Sequence, residues 1–265
     1  MTREYKTMKK HLIAKIFILI AALFGSLITS VNATEKPIQV VSFITSDKIT
    51  IKASFAKPES ISEKQESGEL PAVIFLHQGG SSKSEWTSLP LFQQIVDNNM
   101  IALAIDIRGH GESSGKADFS TIFNDPNQSP RDLDAAIKYL IDTNLVDSDR
   151  IAVVGASMGA NLASLAAGKE SVHVKTAVAM SGKTSAVYNL AGIGKSKMKF
   201  KSLFLIASEL EQGGRRAGWA KEIFDLTEKP KQLEIVKGSS QHGVSVFKDD
   251  PSLQERILKW LLETL

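Results

Sequence analysis

Gly155-Ala156-Ser157-Met158-Gly159 sets one serine between two glycines, directly after the β-favouring run Ile151–Val154 and directly before the small-residue run Ala160–Ala167. A strand, a sharp turn and a helix follow from that order. Glycines flanking such a turn remove side chains that would collide there, so the serine hydroxyl is pushed out above the strand end. The next backbone N–H, that of Met158, points into the same space and can stabilise a developing oxyanion. The chemistry this implies is nucleophilic attack on a carbonyl.

A serine hydroxyl needs a base, and the base needs an acid to orient it. Of the five histidines, His11 lies in an N-terminal basic-apolar stretch and His173 falls at the sheet end opposite the turn. His110 sits inside an Arg-Gly-His-Gly turn. His77 is expected to hold a loop. His242, in Gly238-Ser239-Ser240-Gln241-His242-Gly243 after the last strand, combines the right sheet end with a loop long enough to swing over Ser157. The acid should leave a strand end between these two residues. The strand ending at Ser181-Gly182-Lys183 offers no carboxylate. The one ending at Ala207-Ser208 offers Glu209 and Glu211, either of which can serve. A second oxyanion donor is expected from the backbone N–H of Gln78 or Gly79 in His77-Gln78-Gly79-Gly80, where glycines let N–H groups turn inward. Asp106 and Arg108 are expected to stitch strand-end loops together.

The elements that must position these groups can be read from periodicity. Ile38–Thr45 and Ile49–Phe55, joined by Ser46-Asp47-Lys48, predict an antiparallel hairpin. Ala72–Leu76, Ile101–Ile105, Ile151–Val154 and Leu203–Ala207 are continuous apolar runs, as for strands buried on both faces, and Val174–Met180 and Gln232–Val236 are further strands. Helices are expected over Ser88–Asn98, Pro130–Thr143, Ala160–Ala167, Gly214–Leu226 and Pro251–Leu265, with weaker helical pattern in Gly182–Lys199. Alternating strands and helices predict an α/β fold, a mostly parallel eight-stranded sheet with helices on both faces. Ligands bind such sheets at the carboxyl ends of the strands, where every motif named above falls.

Residues 1–33 read as a secretion signal. Lys6, Lys9, Lys10 and Lys15 form a basic start, Ile16–Ile28 an apolar core shorter than the ~20 residues a spanning helix needs, and Val31-Asn32-Ala33 a small-x-small cleavage site. This predicts a periplasmic or secreted chain whose single domain spans 34–265, without a stable membrane anchor after cleavage. The segment carries five basic residues and one acidic residue. The rest therefore holds 27 basic and 28 acidic residues, a net charge of −1, and the overall basicity gives no reason to expect a nucleic-acid partner. With no cysteine, thiol nucleophiles, thiolate metal sites and disulfides are excluded.

Together, His77-Gln78-Gly79-Gly80, Asp106-x-Arg108-Gly109-His110-Gly111, the Gly155–Gly159 turn and His242 resemble, in order, the motifs of the α/β-hydrolase superfamily over residues 38–265. About twenty residues separate the strands at Val174 and Leu203, leaving no room for a sizeable cap, so the chain looks most like the compact dienelactone-hydrolase and esterase branch. Dienelactone hydrolases proper carry a cysteine nucleophile, where this chain has Ser157. The resemblance implies acyl transfer through an acyl-enzyme by a Ser157, Glu211 and His242 triad. Glu211 is favoured over Glu209 because family acids sit in the outer part of that loop, although the usual acid is Asp. The substrate implied is a small ester, with no cofactor and no metal. Trp86, Phe119 and Phe123 are expected as aromatic walls of an open cleft that favours short or medium acyl chains. The rival expectations are a small-substrate amidase or peptidase of the same fold, and a non-catalytic hydrolase-like binding protein.

Overall fold

The computed structural model describes residues 38–59, 70–122, 124–168, 173–193 and 198–265. The expected signal segment lies outside the described residues. Eight strands form one sheet: β1 (Gln39–Ile44), β2 (Thr50–Ala56), β3 (Leu70–Leu76), β4 (Ile101–Ile105), β5 (Val146–Ala156), β6 (Thr176–Met180), β7 (Phe200–Ser208) and β8 (Thr227–Val236), in the order β1-β2-β4-β3-β5-β6-β7-β8. The first hairpin is antiparallel and joins β4 antiparallel; every other pairing is parallel. The helices are α1 (Ser84–Thr87), α2 (Pro90–Asp97), α3 (Phe119–Ile122), α4 (Ser129–Asp142), α5 (Met158–Gly168), α6 (Thr184–Ala191), α7 (Arg215–Asp225) and α8 (Leu253–Thr264), with a 3₁₀ turn at Gly243–Lys248.

The inner strands β3 to β7 are apolar on both faces because both faces are covered. Along β5, Ile151 and Val153 belong to one core with residues of α4, α5 and α7; Ala152 and Val154 belong to the other with α2 and α8. β5, β7 and β8 each begin several residues earlier than their apolar runs suggest. In β5 and β8 the early residues Asp147–Arg150 and Glu228–Lys231 are at least partly exposed, and in β7 the exposed Lys201 interrupts the apolar run, so no continuous hydrophobic pattern marks these starts. The helix expected over Ser88–Asn98 runs from Pro90 to Asp97, with Pro90 opening it, and a short helix at Ser84–Thr87 that the pattern did not mark precedes it.

The register brings the strand ends level. Leu76 pairs with Ile105 and with Gly155, Ala156 with Met180, and Ser208 with Val236. The residues that follow these ends, His77, Asp106, Ser157, Ser181 and the loops at 209–214 and 237–242, therefore share one edge of the sheet.

Candidate active site

Ser157 stands alone between β5 and α5, with φ of 51°. For a residue with a Cβ this left-handed conformation is strained. Two contacts hold it: Ser157 N–H donates to the Met180 carbonyl at 2.8 Å, and its carbonyl accepts Asn161 N–H at 3.1 Å as the helix begins. The flanking glycines are required by space. A Cβ on Gly155 would stand 2.1 Å from the Gly159 carbonyl oxygen, and one on Gly159 would stand 2.1 Å from that of Leu76. Helix α5 is buried nearly all round, so the turn rests on a rigid base.

His242 hangs from the loop after β8. Its neighbour Gly243, at φ of 55°, lies against the residue before the serine: a Cβ there would be 3.5 Å from that of Ala156. His242 Nδ1 is 2.5 Å from Glu211 Oε1. Glu211 is buried, and its other oxygen accepts the Ser181 hydroxyl at 2.8 Å. The Ser181 hydroxyl in turn accepts Gly243 N–H at 3.1 Å. One serine at the end of β6 thus ties the acid to the histidine loop. Arg216 closes the cluster. Its Nη1 donates to the Ser181 carbonyl at 2.7 Å, and its Nε is 3.2 Å from Glu211 Oε1, near enough for an ion pair though outside hydrogen-bonding geometry. Glu209 faces elsewhere, accepting Lys237 Nζ at 2.7 Å and Gly238 N–H at 2.9 Å. Of the two carboxylates, Glu211 is the one brought to the imidazole. The acid and histidine loops are also joined directly, by Ser208 Oγ to the Gln241 carbonyl at 2.7 Å and Leu210 N–H to the Ser239 carbonyl at 2.8 Å.

The loop after β3 differs from expectation in one respect. Gln78 N–H donates to Glu85 Oε2 at 2.9 Å, so it is committed and drops out as an oxyanion donor, leaving Gly79 N–H as the candidate beside Met158 N–H. His77 holds this loop. Its Nε2 accepts Ile107 N–H at 3.0 Å, so Nδ1 carries the proton that meets the Gln78 carbonyl at 2.8 Å. Complete burial pushes its pKa down to about 4, which keeps the ring neutral in this role. Asp106 and Arg108 stitch loops as expected. Asp106 accepts Lys83 N–H, Lys83 Nζ and Glu112 N–H, while Arg108 bridges Asp132 and Asp47.

The aromatic walls divide. Phe119 is about half exposed and its ring lies over the oxyanion loop, 2.8 Å from where a Cβ on Gly79 would stand. Trp86 corrects the expectation: it is fully buried, its ring 5.2 Å from that of Phe75 within the core under α2 and α8, and it presents nothing to a substrate. Its indole supplies more buried area than any neighbour in α1, and burial outweighs exposure for so large an apolar ring. Phe123 lies outside the described residues. A cleft of about 500 Å³ is lined by Ser81, Glu85 and Leu89 from the segment after β3 and by Val244, Phe247 and Lys248 from the 3₁₀ turn after the histidine loop. Among the described residues no three His, Asp or Glu side chains group as metal ligands would.

The sequence profile of the alpha/beta hydrolase fold family matches residues 71–215, more than half of the chain, and the chain belongs to that family. No curated protein sequence matches it. Among solved structures it is similar to an acetyl xylan esterase from Paenibacillus sp. R4, at 18% identity over 90% of this chain and 87% of that one with a TM-score of 0.68. It is also similar to the esterase Pf2001 of Pyrococcus furiosus, at 21% identity over 86% and 93% with a TM-score of 0.63. Dipeptidyl peptidase 4 of Porphyromonas gingivalis matches at 15% identity over 87% of this chain but 36% of its own, with a TM-score of 0.65. At these identities the likeness is one of fold.

Three residues of the site escaped the sequence reading: Ser181, Arg216 and Glu85. Ser181 had one signal, its place at the end of the strand adjoining the Ser157 strand. Arg216 and Glu85 had none, since a charged residue near the start of a helix is ordinary.

Proposed function

We propose that the chain is an exported serine hydrolase that cleaves carboxylic esters of short or medium acyl chains. Ser157 Oγ attacks the ester carbonyl while His242 takes its proton through Nε2. Glu211, at Nδ1, fixes the tautomer and stabilises the imidazolium. The tetrahedral oxyanion is received by Met158 N–H and Gly79 N–H. Imidazolium then protonates the departing alcohol, and water, activated by the same histidine, releases the acid. The observation that carries this reading is the His242–Glu211 contact at 2.5 Å, on a loop whose Gly243 lies against Ala156, the residue before a serine in a left-handed turn with no room for side chains at its flanking glycines. The half-exposed Phe119 over the oxyanion loop supports a short, open acyl site.

The test is labelling by a fluorophosphonate together with turnover of p-nitrophenyl esters of graded chain length, in wild type and Ser157→Ala. The expected result is one label on Ser157, turnover falling with chain length, and a loss of several orders of magnitude in kcat for the variant, because a triad acts as a unit. An unlabelled, inactive wild-type chain would favour the binding-protein alternative. Faster cleavage of a matched amide would move the activity to the amidase reading.

A further inference from the structure

Glu85 has no part in the triad, yet its position links three of the site's components. It lies on α1, five residues beyond the oxyanion loop, and its side chain turns back to accept Gln78 N–H at 2.9 Å. That bond fixes the residue immediately before Gly79, whose N–H is the second oxyanion donor of the proposed mechanism. On its other side, the Gln78 side chain reaches Gly243: a Cβ there would be 2.1 Å from Gln78 Oε1. Glu85, Gln78 and Gly243 therefore form one contiguous run that ends at the chain neighbour of His242, and Glu85 lines the same cleft as Val244 and Ser245. The base of the helix does not give way, because the next residue, Trp86, is wholly buried in the core.

We infer that Glu85 is a positioning residue: its carboxylate anchors the Gln78–Gly79 segment so that Gly79 N–H faces the oxyanion. This inference rests on the serine-hydrolase reading. Around Glu85 stand the Gln78 N–H, the Ser81 hydroxyl and His242, while Lys83 is occupied by Asp106 and Glu112. Burial pushes the Glu85 carboxyl up from its ordinary value, and the neighbouring Gln78 N–H, Ser81 hydroxyl and His242 pull it back towards ionisation. As a carboxylate it is a stronger acceptor for Gln78 N–H than a neutral group would be.

Three variants test it. Glu85→Gln keeps an amide oxygen to accept Gln78 N–H; Glu85→Ala removes the acceptor; Glu209→Gln removes an outward-facing carboxylate as a control. The readouts are kcat and KM on p-nitrophenyl acetate, with melting curves to show that each variant is folded. Glu85→Ala is expected to lose about 10- to 100-fold in kcat, less than the loss of a whole oxyanion donor, with KM nearly unchanged, and Glu85→Gln to recover most of the loss, while Glu209→Gln stays at the wild-type rate. A folded Glu85→Ala with kcat within twofold of wild type overturns the inference, and so does a Glu85→Gln no faster than Glu85→Ala. If Glu85→Ala does not fold, Glu85→Met, which fills the space without an acceptor, decides by the same criteria. Failure of the underlying reading would look different: wild type unlabelled by fluorophosphonate, or Ser157→Ala fully active.

Discussion

Glu211→Gln is the substitution whose cost the geometry lets one work out in advance. In the proposed mechanism the carboxylate faces an imidazole that becomes positive during attack. One unit charge about 4 Å from the imidazolium centre, at an effective dielectric near 20, is worth about 4 kcal/mol. Arg216, 3.2 Å from the same oxygen, already draws on part of that charge, and an amide oxygen would keep a hydrogen bond. A net loss of about 3–4 kcal/mol remains, which is on the order of 10²–10³ in kcat. The orientation of the amide sets the upper limit. With its NH₂ towards Nδ1 it would impose the wrong tautomer, a loss nearer 10⁴-fold in a triad of this kind. Arg216 opposes that orientation, because its guanidinium prefers an oxygen at the Oε1 position, while Ser181 Oγ can accept from an NH₂ at the other. Adding Arg216→Met to Glu211→Gln should therefore deepen the loss beyond either change alone. The assay is kcat on p-nitrophenyl acetate at saturation, with melting curves to show that each variant is folded, and Glu209→Gln alongside. Glu209→Gln should stay within about twofold, since it breaks only exposed contacts to Lys237 and Gly238. A smaller loss in Glu211→Gln than in Glu209→Gln would refute the reasoning.

Other consequences are simpler to state. Gly159→Ala forces a Cβ to 2.1 Å from the Leu76 carbonyl oxygen; it should cost at least 1–3 kcal/mol in urea unfolding and abolish fluorophosphonate labelling, whereas a labelled variant of normal stability would show the turn to be looser than described. Trp86→Ala should destabilise by about 3–5 kcal/mol with kcat/KM per folded molecule nearly unchanged, and a selective rise in KM would return Trp86 to the substrate site. His77 contributes through its depressed pKa. Its share of stability is complete above the ordinary value of 6.5 and is lost as pH falls towards about 4, a span that corresponds to about 3 kcal/mol. Urea midpoints of wild type should fall through that window more steeply than those of His77→Gln, and parallel curves would contradict the assignment. Phe119→Ala should raise KM for p-nitrophenyl butyrate more than for the acetate, by roughly 3- to 10-fold, as expected for removing an aromatic wall from a longer acyl chain; equal effects on both esters would place the ring outside the acyl path.

What could be read along the chain and what could not divide along a physical line. Ser157 announces itself because everything that makes its turn possible is local: β-branched residues before it, a small-residue helix after it, and glycines at the two positions where the backbone of Gly159 or Leu76 would collide with a Cβ. The buried strands are legible for the same reason, since covering both faces leaves a continuous apolar run. Legibility fails where the determining partner is remote. Gln78 N–H could be placed in the oxyanion loop, but Glu85, which accepts it, lies in a polar stretch that could equally have faced water. Trp86 looked like a wall because aromatics near active sites often are, and only the packing of Phe75, α2 and α8 shows which side of α1 it occupies. The choice between Glu209 and Glu211 turned on a residue from another strand. Ser181 holds Glu211 with its hydroxyl proton and the histidine loop with its oxygen, an arrangement that needs both loops to converge on the end of β6. In this fold a motif can carry the strained serine, but its partners are set by strand register. Level ends at Ala156 and Met180 let Ser157 N–H reach the Met180 carbonyl, and the same alignment puts the Ser181 hydroxyl between acid and base. A change that shifts β6 against β5 by one residue would leave every motif intact in sequence and dismantle the site.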